Sequence, residues 1–206
     1  MADNSLVDVA LASGLVQPDQ TTCGSCVLVV ARMLSDPSYV GFLVNGVNPA
    51  SGERAPGTLQ DRFSQQALAT HRLTSRFKDT AGGWQLPWPR ALGTPPWALA
   101  REMTNEAGES GTKYSARPIV PNRRAPMFSR IASLAGAGHA VPLYVGNRWS
   151  QRHVVLVLPT VDLPQGIVRI YDPASGRCYP IAAADFTAGR LHVAGWQVPW
   201  AVVVPT

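Results

Sequence analysis

The sequence is most informative at Gln17-Pro18-Asp19-Gln20-Thr21-Thr22-Cys23-Gly24-Ser25-Cys26, where a polar loop runs directly into a hydrophobic segment. The mostly apolar run Gly24–Leu34 predicts a buried helix. Asp36-Pro37 ends that helix, because the residue before a proline avoids the helical conformation. A cysteine at the start of such a helix lies at the positive end of the helix dipole, which favours the reactive thiolate. Cys23 is therefore a candidate nucleophile.

Two later segments carry side chains that could assist this nucleophile. His153 opens the apolar run Val154–Leu158, and Asp172 stands at the end of the next β-rich segment, before the turn Pro173–Gly176. Two antiparallel strands joined by a short connection would bring these two side chains close together. An aspartate beside a histidine fixes the imidazole tautomer and stabilises the imidazolium that a thiolate partner needs.

Helical and strand patterns fall in different parts of the chain. Helices are predicted at Gly24–Leu34, Leu59–Phe77, Thr94–Ala107 and Pro126–Ala135, and loops, short strands or irregular segments at Pro37–Pro56, Thr80–Thr94 and Gly111–Pro126. The β-rich segments are Ala140–Val145, His153–Leu158, Ile167–Tyr171, Arg177–Ile181 and Gly195–Val204. Helices followed by an antiparallel sheet predict an α+β fold. We expect one domain over residues 1–206, with a helical lobe and irregular insert at 17–138, a β lobe at 139–206, and a cleft between the lobes.

The order of these segments resembles the papain-like cysteine peptidase superfamily, and most closely the peptidases of family C39 and their relatives. The resemblance rests on Gln17, Cys23-Gly24, the strand that begins at His153, and the Asp172-Pro173-Ala174-Ser175-Gly176 turn. It covers residues 17–34 and about 139–200. It implies a papain-like fold and a catalytic triad of Cys23, His153 and Asp172. Gln17 and the Cys23 backbone N–H would bind the oxyanion, and neither a metal nor an organic cofactor would be needed.

A second alignment of the same stretch remains open. Gln20-Thr21-Thr22-Cys23-Gly24-Ser25-Cys26 also resembles the segment around the papain nucleophile, which would make Cys26 the nucleophile and Gln20 the oxyanion donor. Papain-like enzymes have an aromatic residue after the nucleophile, whereas Val27 follows Cys26 here. Cys26 would also lie about one turn inside the apolar helix, where a cysteine is an ordinary core residue. The pattern favours Cys23.

The resemblance implies hydrolysis of a peptide or amide bond in a protein or peptide substrate. Family C39 domains attached to ABC exporters cut leader peptides, but this chain has no Walker A loop. A deamidase, an acyltransferase or a cell-wall amidase acting as a bacterial effector or toxin would use the same fold and triad. A binding module without enzymatic activity is the remaining class. It could contact nucleic acid through arginines, although no basic motif with a known docking geometry is present.

Composition restricts the class of protein and the compartment to which the chain can belong. The chain has 206 residues, 46% hydrophobic residues, only 15% charged residues and a net charge of +5, which excludes intrinsic disorder. Three cysteines do not form a disulfide framework and suit a reducing compartment or a catalytic thiol. No apolar run approaches the length of a membrane span, and the acidic start lacks the basic region of a Sec signal peptide. We therefore expect a cytoplasmic protein or one exported by a route other than Sec, with no membrane segment.

Overall fold

Seven α-helices lie in the part of the chain that the computed structural model describes, which is residues 5–48, 51–74, 93–160 and 163–206. The helices are α1 (Ser5–Ala12), α2 (Cys23–Ser35), α3 (Pro37–Asn45), α4 (Leu59–Thr74), α5 (Pro96–Glu102), α6 (Arg124–Gly136) and α7 (Ala183–Ala188). A π-helical turn, Met103–Ala107, continues α5, and a 3₁₀ turn, Pro121–Arg123, leads into α6.

One antiparallel sheet contains all six strands of the described residues. The strands are β1 (Tyr114–Pro118), β2 (Val141–Gly146), β3 (Gln151–Val157), β4 (Ile167–Asp172), β5 (Arg177–Ala182) and β6 (Val198–Pro205). Their spatial order is β1-β6-β2-β3-β4-β5, and every neighbouring pair is antiparallel. The mixed architecture confirms the predicted α+β class.

Helices cover both faces of the sheet, and this explains why the strands are nearly continuously apolar. Tyr144, Leu156 and Tyr171 belong to a core cluster shared with α1, α2 and α4. Their strand neighbours Val155 and Ile170 belong to a second cluster that includes residues of α6 and α7. When both faces of a sheet are buried, the alternation of polar and apolar residues disappears. Helix α2 packs against β3, and its first residue lines one cavity with the start of that strand.

The prediction of loops or short strands over Pro37–Pro56 was wrong, because α3 occupies Pro37–Asn45. Asp36 ends α2 and at once caps α3: its Oδ1 accepts the backbone N–H groups of Ser38 at 2.9 Å and Tyr39 at 3.1 Å. Pro37 occupies the first helical position, where its missing N–H costs nothing. The same two residues therefore stop one helix and start the next.

Several boundaries also differ from the predictions. Strand β1 and the 3₁₀ turn occupy part of Gly111–Pro126, which was predicted to be irregular, and neither α1 nor α7 was predicted. Helix α5 begins at Pro96, two residues after the predicted start at Thr94. The predicted helix over Leu59–Phe77 is present as far as Thr74, and its remainder lies outside the described residues. Residues 80–92 of the segment Thr80–Thr94, which was predicted to be irregular, also lie outside them.

No single helix in the described ranges has the length and apolar character needed to cross a membrane. Helices α2 and α3, bent by 114° relative to each other, would meet that criterion only as a pair, and only by length and composition.

Candidate active site

Cys23 is the first residue of α2, at the end where backbone N–H groups lack helical partners. The preceding residue, Thr22, makes no capping bond to the first turn. Instead, the Thr22 hydroxyl donates a hydrogen bond to the Asp19 carbonyl oxygen at 3.0 Å, and its Oγ1 accepts one from the Asp19 backbone N–H at 3.3 Å. Within the described residues, the N–H of Cys23 has no hydrogen-bond acceptor. That donor is free to bind a developing negative charge beside the thiol.

Close packing against Thr94 explains why a glycine follows the cysteine. A methyl group at Gly24 would lie 2.7 Å from Cβ of Thr94 and 3.0 Å from its Oγ1. Thr94 is itself held by the hydroxyl of Tyr144, which donates to its carbonyl oxygen at 2.9 Å. Gly24 therefore permits residues 93–94 to cross the start of α2 next to the cysteine.

His153 and Asp172 meet where β3 and β4 separate. The described ladder between these strands comprises two residue pairs, Leu156–Tyr171 and Val157–Ile170. Beyond them the two strands diverge and leave room for side chains. Nε2 of His153 lies 2.7 Å from Oδ1 of Asp172, and the two side chains are only 6% and 4% exposed.

Asp172 is held by a complete set of donors. Besides the His153 ring, its Oδ1 accepts the backbone N–H of Ala174 at 3.0 Å. Its Oδ2 accepts the hydroxyls of Ser175 and Tyr179, both at 3.1 Å. Burial alone would raise the pKa of Asp172, but the hydrogen bond and charge of His153, with the bonds from Ala174 and Tyr179, hold that pKa below its ordinary value. The carboxylate therefore stays ionised and fixes the orientation of the imidazole.

His153 lies between this carboxylate and the Cys23 thiol. Burial opposes the charged imidazole, but hydrogen bonds to Asp172 and Cys23, together with their negative charges, outweigh it and raise the pKa of His153 to about 9. Because Nε2 is occupied by Asp172, Nδ1 is the ring nitrogen that remains for the thiol. The three side chains thus form a connected series, with the imidazole ring between the carboxylate and the thiol.

A cavity of about 500 Å³ opens onto Cys23 and His153. Its walls come from the loop before α2, residues 93–94, β2 and the start of β3. The described residues that line it are Gln20, Thr21, Cys23, Gly93, Thr94, Tyr144, Ser150, Gln151, Arg152, His153 and Val154. The volume lies within the range of small-molecule and peptide-residue sites.

The two candidate oxyanion glutamines have different surroundings. Gln20 is exposed and lines the cavity. The backbone N–H of Gln17 donates to the carbonyl of Pro173 at 2.8 Å, which ties this residue to the turn beyond Asp172. Its side-chain Oε1 is buried and has no hydrogen-bond partner among the described residues. Both glutamines therefore remain candidates, one by its place in the cavity and one by its link to the triad turn.

The other two cysteines occupy less reactive environments. Cys26 lies one turn inside α2 and is fully buried, and burial followed by the nearby charge of Cys23 raises the pKa of its thiol well above the ordinary value. Burial also raises the pKa of Cys178, which lies on β5. These placements favour Cys23 over Cys26 as the nucleophile.

Sequence reasoning did not identify the residues that support the three central side chains. Tyr179 and Ser175 complete the donors to Asp172, while Tyr144 and Thr94 form the wall beside Cys23. The turn after Asp172 was recognised, and Ser175 belongs to it. The other three contacts join residues that are distant in sequence or on neighbouring strands, so no local pattern reveals them.

Comparisons with known proteins add no assignment. No protein-family model matches the chain, and no curated protein matches it either.

Among the described residues, no group of three or more His, Cys, Asp or Glu side chains is placed to hold a metal ion.

Proposed function

We propose that this protein is a papain-like cysteine hydrolase of the C39 type that attacks a peptide or amide bond in a protein or peptide substrate. One observation carries the proposal: Cys23 begins α2 at a cavity shared with His153, whose Nε2 lies 2.7 Å from a buried Asp172 carboxylate. A helix-start thiol, an imidazole and an orienting carboxylate are the parts that nucleophilic acyl transfer requires. The order of these residues along the chain gives independent support.

The proposed reaction proceeds in two steps. The Cys23 thiolate attacks the substrate carbonyl carbon, and the Cys23 backbone N–H, assisted by Gln17 or Gln20, stabilises the oxyanion. The carbon–nitrogen bond then breaks, and protonated His153 gives its proton to the departing amine, leaving a thioester on Cys23. Water attacks the thioester while His153 takes a proton from it. The acid leaves, and the thiolate–imidazolium pair is restored with Asp172 orienting the ring throughout.

Selective alkylation tests the nucleophile. Brief iodoacetamide treatment at about pH 6, where an ordinary thiol reacts slowly, should label Cys23 rapidly and once, as read by intact mass and peptide mapping. His153→Gln should slow that labelling at least about tenfold, because the imidazolium that stabilises the thiolate is lost. Cys26→Ala should leave the labelling unchanged. Labelling at Cys26, or equal slow labelling of all three thiols, would contradict the proposal.

Digestion of a peptide library by the wild-type chain and by Cys23→Ala identifies the reaction. Mass spectrometry should show new peptide termini that appear with the wild type and are absent with Cys23→Ala. Glutamine or asparagine converted to acid without new termini would identify a deamidase instead, and joining of an added amine would identify an acyltransferase. The hydrolytic proposal fails if Cys23 reacts selectively with iodoacetamide and yet none of these products depends on it.

A further inference from the structure

The β2–β3 turn carries the most exposed aromatic residue of the described chain to the edge of the catalytic cavity. Ser150–Val154 form one wall of that cavity, and Trp149 immediately precedes them. The side chain of Trp149 is 74% exposed. Tryptophan is highly buried on average in folded proteins, and at recognition surfaces it is among the residues that contribute most to binding.

Several hydrogen bonds fix the shape of this turn. Oδ1 of Asn147 accepts the backbone N–H groups of Trp149 at 2.8 Å and Ser150 at 2.9 Å. The indole N–H of Trp200, on β6, donates to the Asn147 carbonyl at 2.8 Å. A methyl group at Gly146 would lie 2.1 Å from the Ser150 carbonyl oxygen, so the two ends of the turn approach closely. Trp149 therefore stands on a preorganised support, which lowers the entropic cost of binding.

One arginine stacks on the indole, and a second lines the neighbouring cavity. The guanidinium of Arg148 stacks over the Trp149 ring, 4.5 Å from its centroid. Arg152 is exposed and lines the cavity three residues further along. Among the described residues, neither arginine has a carboxylate within ion-pair distance. The chain as a whole carries a net charge of +5, which favours association with acidic partners.

We propose that Arg148, Trp149 and Arg152 form a substrate-recognition site for an acidic polypeptide segment next to the bond that Cys23 attacks. Aspartate or glutamate side chains of the segment would pair with the two guanidinium groups. An aromatic or aliphatic side chain would cover the free face of the indole. The inference rests on the proposed function for its choice of a polypeptide ligand, and it adds the chemical class of the substrate.

Binding to the inactive chain separates recognition from catalysis. The Cys23→Ala variant is titrated with three fluorescein-labelled peptides of twelve residues, each containing one tyrosine, whose other residues are acidic, neutral or basic. A single-stranded oligothymidine of the same length is the non-peptide polyanion. We expect the acidic peptide to bind at least about tenfold more tightly than the other three probes, with an affinity that falls as salt rises.

Substitutions then locate the site. Arg148→Glu, Arg152→Glu and Trp149→Ala should each weaken binding of the acidic peptide about tenfold or more, and Trp149→Phe should retain most of it. Arg117→Glu is the matched charge reversal, because Arg117 is exposed on β1 at the far edge of the sheet, and it should leave binding unchanged. The inference is overturned if the acidic peptide binds no better than the neutral one, if Arg117→Glu weakens it equally, or if oligothymidine binds as tightly. Failure of the proposed function would appear separately, as loss of selective Cys23 alkylation in the active chain.

Discussion

At the scale of single residues, the His153–Asp172 pair couples protonation to stability. The pKa of His153 is raised from 6.5 to about 9, so the folded chain binds this proton more tightly than the unfolded chain does. The stabilisation is therefore complete below about pH 6.5 and is lost as the pH rises through about 9. For Asp172, whose pKa is lowered, the sign is opposite: its contribution is present above about 3.8 and is lost as the pH falls through the lowered value.

A comparison of wild type with His153→Gln measures this coupling. The difference between their free energies of unfolding should shrink by about 3 kcal/mol between pH 6 and pH 10, since one pKa unit corresponds to about 1.4 kcal/mol. Urea titrations across this range provide the free energies, and groups that do not interact with His153 cancel in the difference. Two parallel stability curves would show that His153 does not titrate with a raised pKa.

The central site residues could be predicted from sequence because each has a local signal. Cys23 precedes an apolar helix, His153 opens an apolar strand, and Asp172 precedes a turn. Their partners Tyr144 and Tyr179 have no such signal. A tyrosine in a strand is predicted to be a core residue whether or not its hydroxyl binds a residue of the site. The choice between Gln17 and Gln20 depends on the path of the loop, which spacing alone does not determine.

At the scale of elements, the packing at the start of α2 requires a residue without a side chain at position 24. Gly24→Ala would ordinarily strengthen a helix, but here the added methyl group would meet Thr94 at 2.7 Å. We expect it to destabilise the fold by about 1–3 kcal/mol, as overpacking does. Gly41→Ala in α3 is the matched control, because nothing lies within 4 Å of its added methyl group, and it should stabilise by about 1 kcal/mol. If the denaturant midpoints of both variants move in the same direction, the expected clash between residue 24 and Thr94 is contradicted.

Helix α3 shows where element prediction failed. The sequence pattern of α3 is short and apolar, so its periodicity is weak, while the stop signal at Asp36-Pro37 is strong. That signal was interpreted only as an end. The rule that aspartate caps a helix whose first residue is proline applies to the same dipeptide, and its use would have predicted α3.

At the scale of the whole molecule, the segment before Cys23 is held against the sheet that carries His153 and Asp172. The hydroxyl of Tyr171 donates to the Leu15 carbonyl at 2.6 Å. Gly176, after β4, lies so close to the Gly14 backbone that a methyl group would be 2.8 Å from its carbonyl carbon. The N-terminal segment and the β4–β5 turn therefore hold each other in place.

Gly176→Ala tests this attachment. Gly176 has a φ of +67°, so alanine adds left-handed strain of about 1–2 kcal/mol together with the clash against Gly14. Gly166→Ala has the same kind of strain at φ +83° but only a 3.8 Å contact. We expect Gly176→Ala to lower the free energy of unfolding by about 1–3 kcal/mol more than Gly166→Ala, measured by urea denaturation. Equal losses of unfolding free energy in the two variants would contradict the close contact between Gly176 and Gly14.

The α+β class could be predicted because helical and strand periodicities occupy separate parts of the chain. The order of strands in the sheet could not be predicted. Strands β6 and β1 lie beyond β2, on the side of the sheet away from β5, and they reach that place through contacts between residues far apart in sequence. The fastening of Gly14–Gln17 to the β4–β5 turn was also beyond sequence reasoning, because it depends on the close approach of two backbones.

The bond between Tyr171 and Leu15 also has a consequence for biosynthesis. The two residues are 156 positions apart, so a ribosome adding 5–20 residues per second needs roughly 8 to 30 s to make the second after the first. For most of that interval the nascent chain carries Cys23 without His153, and throughout it lacks Asp172. On the proposed mechanism, the three side chains come together only after translation has delivered the sheet, so we expect the order of synthesis itself to delay activity.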